Sequence, residues 1–174
     1  NRVRKLDYSI QLSKLFYERF IENKDITLFS PHDVPGLYDS FGTEEFDELY
    51  VKYEQDESVP RDTIGGQELI LELLKERAET GRIYIMNIDH CNSHSSFLDK
   101  VEMSNLCQEI TLPTKPINHI DDKTGEIALC ILSAVNIGKI RDVQDLELLC
   151  DLSVRSLDEL IDFQGYPVTA AELA

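Results

Sequence analysis

Apolar side chains recur at helical spacing in four stretches of this chain. Residues 7–22 (DYSIQLSKLFYERFIE) bring Ile10, Leu12, Leu15, Phe16, Phe20 and Ile21 near one helical face, with Asp7 placed to cap the start. Residues 44–55 (EEFDELYVKYEQ) set Phe46, Leu49, Tyr50 and Tyr53 on one side. The clearest helix is predicted over residues 66–81, with Leu69, Leu73 and Leu74 facing inward and Gly81 as its stop. Residues 142–163 present Leu146, Leu149, Cys150, Val154, Leu157 and Ile161, which predicts a last helix with Cys150 in the core. Other stretches read as strands. DITLFSP (residues 25–31) is short and broken by Pro31, and RIYIMNID (residues 82–89) is β-branched and aromatic. SNLCQEITL (residues 104–112) alternates, and GEIALCILSAVNIGKI (residues 125–140) is apolar enough for a strand buried on both faces. A loop leading into a short helical piece (HDVPGLYDSF), a polar linker at 56–66 and a polar connection at 90–103 separate these elements. A Pro-rich turn (Pro113, Pro116) and an acidic turn at 121–125 follow. Helices between buried strands predict an α/β architecture.

Composition narrows the function classes. A length of 174 residues with 42% hydrophobic content suits one domain with a sizeable core. The net charge of −16 leaves no basic stripe to neutralise a nucleic-acid backbone. No apolar run approaches the roughly 20 residues that span a bilayer, and NRVRKLDYS lacks the apolar core of a signal peptide. The four cysteines (Cys91, Cys107, Cys130 and Cys150) form no CxxC pair and are expected to be reduced thiols in a cytoplasmic compartment. The first residue is Asn rather than Met, so the chain is expected to be a piece of something longer.

Candidate chemistry centres on Asn105, Cys107 and Glu109, which alternate with Leu106 and Gln108. In an extended run these three share one face, about 7 Å apart along it. An amide, a thiol and a carboxylate would then converge on something about the size of a sugar. The competing reading is a half-buried strand whose polar face carries one Cys. Asp89, His90, Cys91 and His94 contain zinc-binding residue types but lack a second ligand cluster, so hydrogen bonding within a loop is the expectation. His32 and Asp33 between two prolines are expected to form a capped turn. No GxxxxGK[ST], GxGxxG or GxSxG occurs, which removes the Walker, Rossmann and serine-hydrolase readings. Cys130 lies in an apolar run where a free Cys is most often a small core hydrophobe, although two cysteines on neighbouring strands can also meet across one cavity.

The segments NRVRKLDYSIQ, DITLFSPHDVPGLYD, TGRIYIMNIDHCN, SNLCQEITLPTKP and GEIALCILSAVNIG, in that order, resemble the large catalytic subunit of class I (aerobic) ribonucleotide reductase. The likeness runs over residues 1–167 and is nearest to the bacterial and phage type. It implies a ten-stranded α/β barrel built of two five-stranded halves, with a finger loop carrying the radical cysteine through its centre. By motif position Cys107 is that cysteine, forming a thiyl radical that abstracts the 3′ hydrogen of a ribonucleotide. Glu109 matches the carboxylate that takes the 3′-hydroxyl proton, and Asn105 the amide that binds the ribose hydroxyls. Leu106 and Gln108 belong to the same substrate-lining backbone. Cys130 matches one half of the redox-active disulfide, which replaces its core reading.

The resemblance also implies what this segment lacks. The partner of Cys130, the allosteric sites, the phosphate-binding loop and the tyrosines of the radical path lie outside these residues, so the segment is expected to be inactive alone. No cofactor is expected here. The radical would come from a metal-containing small subunit, and electrons from thioredoxin or glutaredoxin. The whole chain reads as one partial barrel domain, residues 1–174, without separate domains. Two alternatives stay open: a non-catalytic split-subunit piece that assembles with a companion chain, and a cobalamin-dependent reductase of the same superfamily.

Overall fold

The computed structural model describes residues 5–174, and the chain divides into two compact units, Asn1–Pro113 and Thr114–Ala174. The first unit opens with strand β1 (Tyr8–Leu12) and helix α1 (Lys14–Ile21), where periodicity predicts a single helix. Ser13 divides the two: its extended backbone ends the strand, and its Oγ accepts a hydrogen bond from the Phe16 N–H. Asp89 accepts a second bond from the Lys14 N–H, so that end of α1 is capped from a distant part of the chain. Leu12 and Phe16 are buried as expected, whereas Ile21 is 78% exposed.

Strand β2 (Asp25–Phe29) falls where predicted. Helices α2 (Leu37–Ser40) and α3 (Glu44–Gln55) follow, the latter with the predicted bounds. The polar linker contains strand β3 (Arg61–Gly65), which pairs antiparallel with β2 from Asp25↔Gly65 to Phe29↔Arg61. Helix α4 (Gly66–Thr80) ends on Gly81, whose φ of +67° and N–H to Arg77 C=O close it as predicted. Leu69 and Leu73 are half-buried, but Leu74 is exposed. Strand β4 (Ile83–Asn87) pairs parallel with β1 from Tyr8↔Ile83 to Leu12↔Asn87. The expected polar connection after it begins as helix α5 (Ile88–Ser93).

Two clusters hold this unit. Val34, Leu37, Phe46 and Tyr50 form the larger, with Leu15, Phe29 and Phe41 packed on it. Its rings meet edge to face, Phe29–Tyr50 at 5.4 Å and Phe41–Phe46 at 4.9 Å. Arg19 stacks over the Tyr50 ring at 5.0 Å and forms a two-pronged ion pair with Glu54, which also accepts a bond from Thr27 Oγ1. Met86, Ile88 and Val101 form the second cluster, beside Phe41 and Cys91. Gly42, at φ +82°, passes so close to α5 that an added Cβ would stand 2.6 Å from Ile88 Cγ1.

The second unit is built differently. Residues 104–112, at the end of the first unit, and residues 125–140, in this one, are not strands, contrary to both expectations. In the latter run the ordered features are an isolated bridge, Lys115↔Glu126, and a 3₁₀ turn at Ile137–Lys139. Leu129, Leu132 and Ile137 are exposed, so the run is not buried on either face. Burial on both faces requires packed layers and paired neighbours. Among the described residues of this unit the run has no strand partner beyond that bridge, its further backbone tie being Ile127 N–H to Ala170 C=O. The acidic turn holds a local hub: Asp122, 5% exposed, accepts bonds from Asn118 and Thr124 backbone and side-chain groups. Those bonds, Thr124 first, keep its carboxyl far below the usual range. Helix α6 (Asp145–Phe163) starts three residues later than predicted. Its apolar face stays exposed at Leu148, Leu152, Val154 and Leu160. Cys150 is exposed too, which corrects its core assignment. The short helix α7 (Thr169–Glu172) buries Ala170 and Ala171, and Ala170 C=O accepts the Ile127 N–H.

Candidate functional site

Residues 105–108 form a tight turn rather than part of a strand. The Asn105 carbonyl accepts the Gln108 N–H at 3.1 Å and the Gln108 Nε2 at 3.0 Å. Gln108 sits at φ +67°, in the left-handed region, so the chain reverses there and strict alternation of faces is lost. Asn105 Oδ1 accepts the Ile110 N–H at 3.0 Å, and the Ser104 hydroxyl bonds the Ile110 carbonyl. These short polar side chains offer the backbone local partners in place of a strand ladder. The turn presents Leu106 (59% exposed) and Cys107 at its tip, with Asn105 and Glu109 exposed on its two limbs. All three polar candidates thus sit on one turn, but the shared strand face that first linked them is absent.

The turn leans on β4. The Cys107 sulfur acts on the Tyr84 phenol of that strand and raises it above its ordinary pKa. Gln108 faces a cavity of about 620 Å³ shared with Ile85, Met86, Asn87, His90 and Thr111. Gln108 Oε1 is buried there without a protein partner. Tyr84 is a residue that reading along the chain misses, because an influence across more than twenty positions leaves no local signal.

The remaining candidates resolve more simply. Cys91 packs against Met86, Ile88 and Val101, and burial pushes its thiol up. His94 Nδ1 lies 3.0 Å from Ser93 Oγ and 3.1 Å from His90 O, a local arrangement at the end of α5. Among the described residues no three His, Cys, Asp or Glu side chains gather to hold a metal ion. His32 and Asp33 lie in a turn closed by the Asp33 N–H on Ser30 O at 2.9 Å. Cys130 is exposed, in the second unit, with its Sγ 4.0 Å from Ile131 O. All four cysteines are free thiols. Among the described residues no helix is long and apolar enough to cross a membrane.

An N-L-C-x-E sequence folded as an exposed turn against a parallel β-pair is the geometry against which likeness to known proteins can be judged. The family described as ribonucleotide reductase, barrel domain, matches residues 1–174. The chain belongs to that family. It is 58% identical over 177 residues to the ribonucleoside-diphosphate reductase subunit alpha of Haemophilus influenzae, a match covering 99% of the chain and 23% of that protein. The subunit alpha of Buchnera aphidicola from Schizaphis graminum is 54% identical with the same coverages. The subunit alpha of Enterobacteria phage T4 is 42% identical over 182 residues, covering 100% of the chain and 24% of its own length. The chain therefore spans about a quarter of the length of these relatives. Family membership supports the barrel architecture expected from the sequence. Within the described residues that architecture is represented by open two-stranded sheets, β1–β4 and β2–β3.

Proposed function

We propose that this chain contributes the radical-cysteine turn of a class I ribonucleoside-diphosphate reductase large subunit, as part of its catalytic barrel. The observation that carries the reading is the whole-chain family match, with its N-L-C-x-E sequence on an exposed turn. In this reading the small subunit's metal-generated radical removes a hydrogen atom from Cys107, and the thiyl takes the 3′ hydrogen of a ribonucleoside diphosphate. Glu109 accepts the 3′-hydroxyl proton as general base, and Asn105 binds the ribose hydroxyls. Leu106 and Gln108 line the substrate from the same turn. The 2′-hydroxyl leaves as water while a dithiol, Cys130 and a cysteine outside this chain, becomes a disulfide. The Cys107 thiol then returns the hydrogen to C3′, and the re-formed thiyl regains a hydrogen atom from the small subunit's radical source at the end of the cycle. Thioredoxin or glutaredoxin then reduces the disulfide, so each turnover is a balanced two-electron reduction.

The exposed position of Cys130 supports this role, because a thiol that exchanges with an external dithiol must be reachable. A cytoplasmic setting, where thiols stay reduced, belongs to the same reading. The test is reduction of a ribonucleoside diphosphate by the assembled subunits with thioredoxin as reductant. Wild type is expected to form deoxyribonucleoside diphosphate over many turnovers. Cys130→Ser is expected to stop after the first turnover at most, and an unchanged steady-state rate in that variant contradicts the reading.

A further inference from the structure

The turn that carries Asn105, Cys107 and Glu109 is closed at its base by two hydrogen bonds, both of which run to Ile110. The Ser104 hydroxyl lies 2.5 Å from the Ile110 carbonyl and 3.1 Å from Asn105 Oδ1. A hydroxyl has one proton to give, and the nearer acceptor, the carbonyl, takes it. The Ile110 N–H donates in turn to Asn105 Oδ1 at 3.0 Å. Ser104 and Ile110 therefore clasp the loop 105–109, and every group given a chemical role on this turn lies inside the clasp.

The clasp is mounted on an anchored limb. Asn92 of α5 grips the Val101 backbone with both ends of its amide: Oδ1 accepts the Val101 N–H at 2.8 Å, and Nδ2 donates to the Val101 carbonyl at 3.1 Å. Val101 is fully buried, and Gln11 of β1 donates to the next carbonyl, that of Glu102, at 2.9 Å. The chain entering the turn is thus held up to residue 102 by partners that Ser104 does not touch. On the exit side, the clasp ties Ile110 back to that limb. Loss of the Ser104 hydroxyl would leave the entry limb in place, strip the Ile110 carbonyl of its partner and let the two sides of the loop separate.

We propose that Ser104 is a positioning residue for the reaction: its hydroxyl holds the limbs of the turn together and so sets where Cys107 stands relative to Asn105 and Glu109. The inference rests on the roles proposed above for those three residues. Ser104 acts through them, because its own proton is given to the backbone. Hydrogen-atom exchange works with the reacting atoms about 3–3.5 Å apart, so a loop that opens by about 1 Å loses rate steeply.

The test compares Ser104→Ala, which deletes the hydroxyl, with Ser104→Thr, which keeps it, in the assembled reductase. Two quantities are read: kcat for ribonucleoside diphosphate reduction, and hydrogen–deuterium exchange of the peptide 105–110, which contains the bonded Gln108 and Ile110 amides. Ser104→Ala is expected to lower kcat about tenfold and to speed exchange of that peptide about tenfold, while exchange over 88–101 stays as in wild type. Ser104→Thr is expected to stay within about twofold of wild type in both. Wild-type kcat in Ser104→Ala overturns the proposal, and so does either variant in which slow turnover and fast exchange at 105–110 part company. Faster exchange spread equally over 88–101 overturns it too, since the hydroxyl would then support the fold rather than the turn. Full turnover in Cys107→Ser defeats the roles on which the inference rests, and the exchange comparison then still shows whether the hydroxyl closes the turn.

Discussion

The two compact units treat the same kind of side chain in opposite ways. In the first, the apolar face of α3 is closed by its own neighbours: Phe46 is 8% and Tyr50 7% exposed, ringed by Val34, Leu37, Phe29 and Phe41. In the second, α6 carries an equally apolar face, yet Leu152 is 49%, Val154 67% and Phe163 88% exposed. Both helices have the periodicity that predicts burial, so periodicity specifies which side is to be covered and says nothing of what covers it. On the proposed reading, the α6 face is covered by other parts of a larger barrel subunit, and its stability is not meant to be self-supplied.

Four substitutions sharpen that contrast. Phe46→Ala empties the centre of the packed cluster and is expected to destabilise the chain by about 3–5 kcal/mol in denaturant unfolding. Gly42→Ala imposes a Cβ at φ +82° and against Ile88, and an effect of about 2–4 kcal/mol is expected in the same assay. Glu54→Gln removes the charged partner of Arg19, with an expected loss of about 1–3 kcal/mol at neutral pH. Leu152→Ala on α6 should move stability by less than about 0.5 kcal/mol. If Leu152→Ala costs as much as Phe46→Ala, the contrast between the units is wrong.

Glu54 also gives that contrast a pH signature. Burial pushes its carboxyl up, but the bonds from Arg19 and Thr27 outweigh burial and hold it below its ordinary value. A carboxyl depressed in the folded state contributes stability that is complete above its unfolded pKa, near 4.3, and is lost as pH falls through the lower folded value. The difference in stability between wild type and Glu54→Gln should therefore shrink as the solution is acidified below about pH 4.3. A difference that stays constant down to pH 2 argues that the pair is not the source.

Much of the first unit was legible along the chain because its signals are local. The bounds of α3, the Gly81 stop of α4 and the Pro31 end after β2 each rest on residues that act on their own neighbourhood. What escaped was set by distant partners. Tyr8–Leu12 reads as helix until β4 pairs with it, and Arg61–Gly65 reads as linker until β2 does. The turn at 105–108 reads as strand because alternation hides the folding back of Gln108 onto the Asn105 carbonyl. At the site, the order of Asn105, Cys107 and Glu109 was visible, while the turn that carries them was not. Residues 125–140 show the strongest conflict, since their apolar character predicts layers on both faces that this unit does not itself contain.

The thiols offer the same comparison at the site. Cys91 is packed in a cluster with a thiol pushed up by burial, while Cys107 stands exposed at a turn tip. The most direct measurement is ribonucleoside diphosphate reduction by the assembled reductase carrying Cys107→Ser, alongside Cys91→Ser. The account predicts that Cys107→Ser binds nucleotide but forms no deoxyribonucleotide, while Cys91→Ser turns over at a rate near wild type. Measurable turnover in Cys107→Ser would contradict it.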